Sequence, residues 1–135
     1  MTPSTPVSEF VTDTMGLVLR IEKRKLGKTG KTIFESVEAE NSIVHIPALV
    51  FAEILYLSEK QRISTSLQTV NNFLQQHPNY KDCPLSFEII QAASQITDVP
   101  ELHDRLIAPT TRHFGVKLIT NDPAIQASLF VNTVW

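Results

Sequence analysis

The chain has 135 residues, of which 42% are hydrophobic and 19% are charged, and its formal net charge at pH 7 is -2. This composition is ordinary for a soluble globular protein, and the length suits one domain with a core that needs no disulfides. Because Cys83 is the only cysteine, an internal disulfide and a cysteine-based zinc site are excluded. With a polar start and no uninterrupted apolar stretch long enough to span a bilayer, the chain is expected to be a cytoplasmic protein without a membrane partner.

Apolar runs typical of strands alternate with runs of helical spacing along the chain. We predict a loose arm over residues 1–8 and a single domain over residues 9–135. Strands are expected at residues 10–12, 42–46, 80–84, 116–121 and 131–135. Helices are expected at residues 15–22, 31–39, 47–60, 86–96 and 123–129. Two more are expected: one begins at a cap at residue 64 or 65 and ends before residue 78, and the other runs from residue 103 to a turn at residue 115. This alternation predicts an α/β fold around a mostly parallel sheet.

Three local expectations follow from the same patterns. Residues 23–30 are predicted to form a loop, with Thr29 as the cap of the next helix. The helix over residues 47–60 is apolar on most faces and is predicted to be central and buried. In the helix over residues 86–96, the inner face is predicted to consist of Phe87, Ile90 and Ala93.

Four acids are placed so that they can meet at one end of the sheet. Asp13 and Asp122 directly follow the first and fourth predicted strands, Asp104 begins a helix, and Glu53 interrupts the most apolar helix. The carboxyl ends of parallel strands share one edge, where ligands bind. Each acid also has an ordinary explanation. Asp13 and Asp122 suit helix N-caps, Asp104 suits a first helical turn, and Glu53 suits a rim position or a salt bridge to Arg105.

The four acids together point to a metal site. Two carboxylates about 5 Å apart repel by roughly 3 kcal/mol at an effective dielectric of about 20. A cluster of four would therefore take up protons or bind cations, and Mg²⁺ or Mn²⁺ suits oxygen ligands. Such ions bind phosphate oxygens and generate hydroxide from water, which is the chemistry of phosphodiester hydrolysis.

Basic residues are concentrated between residues 20 and 31, where six of the twelve lysines and arginines occur. This segment is a candidate for binding the backbone of a nucleic-acid substrate, and a solvated surface loop is the alternative. The candidate substrate-binding residues are Arg20, Lys23, Arg24, Lys25 and Lys28. The run Gly27-Lys28-Thr29 is not a phosphate-binding loop, because Glu22 stands where that motif requires glycine.

These features together resemble the PIN-domain family, and within it the small VapC toxin ribonucleases. The resemblance rests on Asp13-Thr14 after the first strand, on Ala52-Glu53-Ile54, on the run from Asp104 to Ala108, and on the run from Leu118 to Asp122. It implies a three-layer α/β/α sandwich and a Mg²⁺- or Mn²⁺-dependent endoribonuclease. It also implies a homodimer, RNA as substrate and a small protein antitoxin as partner, as in a toxin–antitoxin pair.

The resemblance also assigns roles to individual residues. Asp13 and Asp104 would be the main metal ligands, and Glu53 and Asp122 would complete the catalytic pocket, partly through water. Thr120 would line the pocket, and Arg105 would be a structural partner of the acids.

The chain departs from the family pattern at Pro109, which is expected to kink or end its helix, and at Glu101-Leu102, where many relatives carry Asp-Pro. A non-catalytic module that docks RNA or a protein is therefore the second hypothesis. A phosphoryl-accepting signalling domain ranks third, because the neighbours of Asp13 are threonines rather than a second acid.

Overall fold

A computed structural model of the protein describes residues 7–135. Its strands form one five-stranded, entirely parallel sheet in the order β3-β2-β1-β4-β5. The strands are β1 (Ser8–Thr12), β2 (Ser42–Pro47), β3 (Tyr80–Cys83), β4 (Lys117–Ile119) and β5 (Thr133–Val134). The predicted three-layer α/β/α architecture around a parallel sheet is confirmed.

Seven helices flank the sheet within residues 7–135. They are α1 (Thr14–Ile21), α2 (Lys28–Glu38), α3 (Ala48–Glu59), α4 (Leu67–Gln76), α5 (Phe87–Ala93), α6 (Leu102–Phe114) and α7 (Pro123–Gln126). None of these helices combines the length and apolar character that a membrane span requires. One core joins the sheet to the helices, and its largest fully buried side chains include Phe34, Leu17, Ile46, Ile54 and Ile107.

The prediction for the start of α2 was wrong. The helix begins at Lys28, so Thr29 lies inside it, and Gly27 is the N-cap without a side-chain hydrogen bond. The two glycines reflect close packing rather than a loop. A Cβ on Gly27 would lie 2.4 Å from the Trp135 carbonyl oxygen, and the Gly30 amide donates to that same oxygen at 2.9 Å.

The predicted inner face of α5 was also wrong in part. Ala93 is buried, but Phe87 is 72% exposed and Ile90 is 45% exposed. The core is reached instead by Ile89 and by Ile96, which follows the end of the helix. The helix ends at Ala93, three residues earlier than predicted.

Helix α3 is central but not buried on most faces, which corrects the prediction. Only Val50 and Ile54 are fully covered, whereas Leu55 and Tyr56 are 43% and 54% exposed. The helix packs against α1, α4, α6 and β2. Because apolar residues surround the axis of α3, their periodicity does not indicate which side of the helix faces solvent.

Several element boundaries also differ from the predictions. The cap of α4 is Ser66, because Thr65 donates its hydroxyl and amide to Glu22 instead. Helix α6 continues through Pro109 to Phe114, so the proline does not end it. Helix α7 and strand β5 are shorter than predicted. Residues 1–6 of the predicted arm lie outside the described residues, and Ser8 already pairs with Ser42 in the sheet.

Candidate active site

The structure brings the four acids together in one cleft at the carboxyl edge of the sheet. The cleft has a volume of about 370 Å³ and is lined by Asp13, Glu53, Asp104 and Asp122. The other lining residues are Thr14, Met15, Ile107, Asn121 and Pro123. The elements that deliver the acids are far apart in sequence, and the parallel sheet with its helices returns them to the same edge.

Asp13 is the most enclosed of the four acids, with 8% of its surface exposed. It follows β1 directly and is the N-cap of α1, where its Oδ1 accepts from the Gly16 amide at 2.7 Å. Its Oδ2 accepts from the Thr120 hydroxyl at 2.5 Å. Asp13 is therefore both the N-cap of α1 and a residue of the cleft, and the two hydrogen bonds fix the orientation of its carboxylate.

Thr120 connects two of the acids. While its hydroxyl donates to Asp13, the same oxygen accepts from the Asp122 amide at 3.1 Å. The Asp122 side chain in turn caps α7, accepting from the Ala124 amide at 2.8 Å. Thr120 is fully buried and is not among the residues that line the cleft, but its contact to Asp13 gives it a defined structural role.

Glu53 and Asp104 reach the cleft from α3 and α6. Glu53 accepts from the Thr14 hydroxyl at 2.7 Å. Asp104 lies in the first turn of α6, and Glu101 caps that helix by accepting from the Asp104 amide at 2.8 Å. Arg105 has a different partner from the one expected, because its Nε donates to the Ala93 carbonyl at 3.2 Å.

Burial and mutual repulsion raise the pKa values of two of the acids. Burial raises the pKa of Asp13 from 3.8 to about 6, against the lowering effect of the Thr120 and Gly16 hydrogen bonds. Asp122 and Glu53 repel the Asp13 charge and raise its pKa further. Burial first, and then repulsion from Asp122, raises the pKa of Asp104 to about 6. The acids therefore influence one another electrostatically across the cleft.

The negative charge of the cleft is not neutralised by the protein. Among the salt bridges within residues 7–135, none joins a lysine or arginine to any of the four acids. Over the same residues, no group of three or more histidines, cysteines, aspartates and glutamates is arranged to enclose a metal ion. The cleft therefore concentrates carboxylates without forming a closed ligand set, and their catalytic and metal-binding roles stay predictions.

The basic residues predicted to bind substrate line a different surface. Arg20 makes a bidentate pair with Glu38, at 2.6 and 2.8 Å, and Glu38 also accepts from the Tyr80 hydroxyl. This pairing lowers the pKa of Glu38 and gives Arg20 a structural role. Lys23, Arg24, Lys25 and Lys31 line a cleft of about 410 Å³ together with Arg20 and Leu26, and Lys28 lies in the first turn of α2.

Two contacts of the site were not predicted from the sequence. Thr14 donates to Glu53, and Gly16 donates to Asp13 while leaving room beside it. Thr14 follows Asp13 directly, so its position was visible, but its partner 39 residues away was not. A small residue three positions after a capping aspartate was the available signal for Gly16.

We expect Gly16→Ala to destabilise the start of α1. A Cβ at this position would lie 2.7 Å from the Thr12 hydroxyl oxygen and 3.0 Å from Asp13 Oδ1. Relief of this overlap is expected to cost about 1–3 kcal/mol in the free energy of unfolding, measured by urea denaturation. Gly30→Ala is the matched control, because its Cβ would meet no atom closer than 3.5 Å. Equal stability of the two variants would contradict the close packing at Gly16.

The fold is that of the PIN-like α/β/α proteins, which confirms the resemblance suggested by the sequence at the level of the fold. The chain is similar to a chain in the crystal structure of VapBC2 from Rickettsia felis bound to a DNA fragment from their promoter. In that comparison the TM-score is 0.72 at 17% identity, covering 94% of this chain and 98% of the other.

Two further solved structures share this fold. A chain of a toxin-antitoxin complex from Klebsiella pneumoniae matches with a TM-score of 0.63 at 18% identity, covering 93% of this chain and 95% of that one. FitAcB from Neisseria gonorrhoeae matches with a TM-score of 0.61 at 17% identity, covering 93% and 96%. No family model and no curated protein sequence matches the chain.

Proposed function

We propose that this chain is a metal-dependent endoribonuclease and the toxin of a toxin–antitoxin pair. The observation that carries the proposal is a cleft lined by four carboxylates that no lysine or arginine neutralises within residues 7–135. A surface of this kind is costly to maintain unless something positive binds to it. Its position at the carboxyl edge of a parallel sheet is where such folds bind their ligands.

The donor set of the cleft suits a hard divalent cation. Asp13, Glu53, Asp104 and Asp122 would hold Mg²⁺ or Mn²⁺ through carboxylate oxygens. When bound, an ion of this kind polarises a phosphodiester and lowers the pKa of water. Because the four side chains do not enclose an ion as they are placed, they or intervening waters would have to complete the coordination.

The chain's own residues prepare the cleft for this role. The Thr120 hydroxyl and the Gly16 amide hold the Asp13 carboxylate in one orientation. The Thr14 hydroxyl holds Glu53 Oε1. These neutral donors position the oxygens without removing the negative charge, so the cleft keeps its attraction for a cation.

The proposed partners follow from the shared fold. Similar chains occur in VapBC and FitAcB structures and in a toxin-antitoxin complex. We therefore propose a small protein antitoxin as a partner of this chain and RNA as its substrate. The homodimer implied by the resemblance stays a prediction, to be tested by measuring the mass of the protein in solution.

The non-catalytic alternative was motivated by Pro109. The proline is fully accommodated within α6, and Asp104 still lines the cleft one turn earlier in that helix. The departure from the family pattern therefore leaves the acid cluster in place, and no specific observation favours the alternative.

Cleavage of a fluorescently labelled RNA tests the proposal directly. We expect the purified protein to cut RNA internally with 5 mM Mg²⁺ or Mn²⁺, and to stop when EDTA is added in excess. Binding of the ion to the folded state should also raise the thermal midpoint of the protein by mass action. A sample that neither cleaves RNA nor changes its midpoint with either ion would contradict the proposed function.

A further inference from the structure

The basic segment between α1 and α2 crosses the molecule from one edge of the sheet to the other. At its beginning, Arg20 pairs with Glu38, which also accepts from Tyr80, the first residue of β3. This end therefore lies at the amino edge of the sheet. At its other end, the Gly30 amide donates to Trp135, which directly follows β5. That end lies at the carboxyl edge, where the acids are.

The cations of this segment are largely free to bind a ligand. Within residues 7–135, Arg20 pairs with Glu38, and Arg24 approaches Glu22 at 3.4 Å on the exposed surface. Glu22 is mainly occupied by Thr65 and the neighbouring backbone. Among the same described residues, no salt bridge involves Lys23, Lys25 or Lys31, although all three line the cleft of about 410 Å³.

We propose that this basic cleft, formed by Lys23, Arg24, Lys25 and Lys31, anchors the backbone of single-stranded RNA and leads it toward the acid cleft. The inference rests on the proposed function, because it assigns the path of the proposed substrate. It also revises the binding set expected from the sequence. Lys31 is added, whereas Arg20 is committed to Glu38.

The surroundings of the basic cleft favour RNA over an acidic polypeptide. A second cleft of about 480 Å³ adjoins the first at Lys23 and at the Arg20–Glu38 pair, and it is also lined by Phe73, His77 and the side-chain amides of α4. The half-buried rings of Phe73 and His77 pack against each other, with 4.7 Å between centroids, and their exposed edges lie beside Lys23, where they can contact the bases of a single strand. An acidic peptide would pair with the lysines but carries no bases to contact these rings.

The distance between the two clefts sets a length for the RNA. Helix α1 spans ~12 Å from the acid edge to its far end, and β1 and β5 are two strand spacings apart, or about 10 Å. The path between the two clefts is therefore roughly 20 Å long. Short oligonucleotides should therefore fail to occupy both clefts at once.

The test measures RNA binding without cleavage, in EDTA, by fluorescence anisotropy. The probes are fluorescein-labelled oligouridylates of three and nine nucleotides, at 50 to 200 mM KCl. The variant is Lys23→Gln/Lys25→Gln/Lys31→Gln. The control is Lys60→Gln/Lys81→Gln/Lys117→Gln. It removes the same charge from exposed positions that line neither the basic cleft, nor the second cleft beside it, nor the acid cleft.

We expect the cleft variant to bind the nine-nucleotide RNA at least tenfold more weakly than the wild type and the control. Loss of three phosphate contacts should reduce the slope of log K against log salt by about 2, since each contributes about 0.7 on single strands. The three-nucleotide RNA should bind weakly to every protein. Equal affinity of the cleft variant and the control for the longer RNA would overturn the proposal.

Two further outcomes separate this proposal from its alternatives. If a nine-residue oligoglutamate competes as well as the nine-nucleotide RNA at equal concentration, the assignment to RNA is overturned. If the wild type binds the longer RNA through the basic cleft but does not cleave it with Mn²⁺, the anchoring proposal is supported and only the nuclease function fails.

Discussion

Asp13→Asn is expected to reduce metal-dependent RNA cleavage by at least about 10²-fold, because loss of even an outer partner of a metal ligand typically costs 10–100-fold. The substitution removes the negative charge at the most enclosed point of the acid cleft. It preserves the shape of the side chain, and asparagine caps a helix as well as aspartate does. The acceptor for the Gly16 amide is therefore retained, whereas the acceptor for the Thr120 hydroxyl is replaced by the asparagine amide nitrogen. The measurement is the initial rate of RNA cleavage with Mn²⁺.

The control for this experiment is Asp82→Asn, which removes one carboxylate from an exposed position on β3, outside the acid cleft. Its cleavage rate should equal that of the wild type. Circular dichroism and a thermal melt establish that both variants are folded. If Asp13→Asn cleaves RNA as fast as Asp82→Asn does, Asp13 has no part in the reaction and the proposed site is wrong.

The same Asp13→Asn substitution is expected to stabilise the protein at alkaline pH in the absence of metal. The pKa of Asp13 is raised from 3.8 to about 6, so the folded state holds the proton more tightly than the unfolded state does. Wild-type stability should therefore fall as the pH rises from about 4 to 6 and stay low above that range. The rise in pKa corresponds to a penalty of about 3 kcal/mol in the ionised folded state.

Urea denaturation in EDTA at pH 4 and pH 8 measures this effect. At pH 4 the wild-type carboxyl is mostly protonated, so the two proteins should unfold at similar urea concentrations. At pH 8 the asparagine variant should be more stable by up to about 3 kcal/mol, while Asp82→Asn should follow the wild type. An asparagine variant that is less stable than the wild type at pH 8 would show that the Asp13 charge is compensated within the protein.

The strands, their parallel arrangement and the order of the helices were predictable because the period of the apolar pattern differs between strands and helices. The side of a helix that is buried was harder to predict. In α5, Phe87 and Ile90 have the right spacing for an inner face but lie outside, because the buried stripe consists of Ile89, Ala93 and Ile96, which also have helical spacing. In α3 the apolar residues surround the whole axis, so periodicity carried no information about burial.

The acids of the site were predictable because each follows a strand or begins a helix, except Glu53, which stood out as a charge on an apolar helix. Their hydrogen-bond partners were not predictable. Thr120 and Asp13 are 107 residues apart, and only the pairing of β1 with β4 brings them together. The predicted pairing of Arg105 with the acids was wrong for the same reason, because the partner of Arg105 depends on how α5 packs against α6.

The capping positions of the acids explain how the chain tolerates their charge before any ion binds. Asp13 caps α1, Asp122 caps α7 and Asp104 lies in the first turn of α6, so three helices begin at the cleft. The amino end of an α-helix carries a partial positive charge from its aligned peptide dipoles. The backbone thus supplies a diffuse positive field that partly offsets the repulsion among the carboxylates.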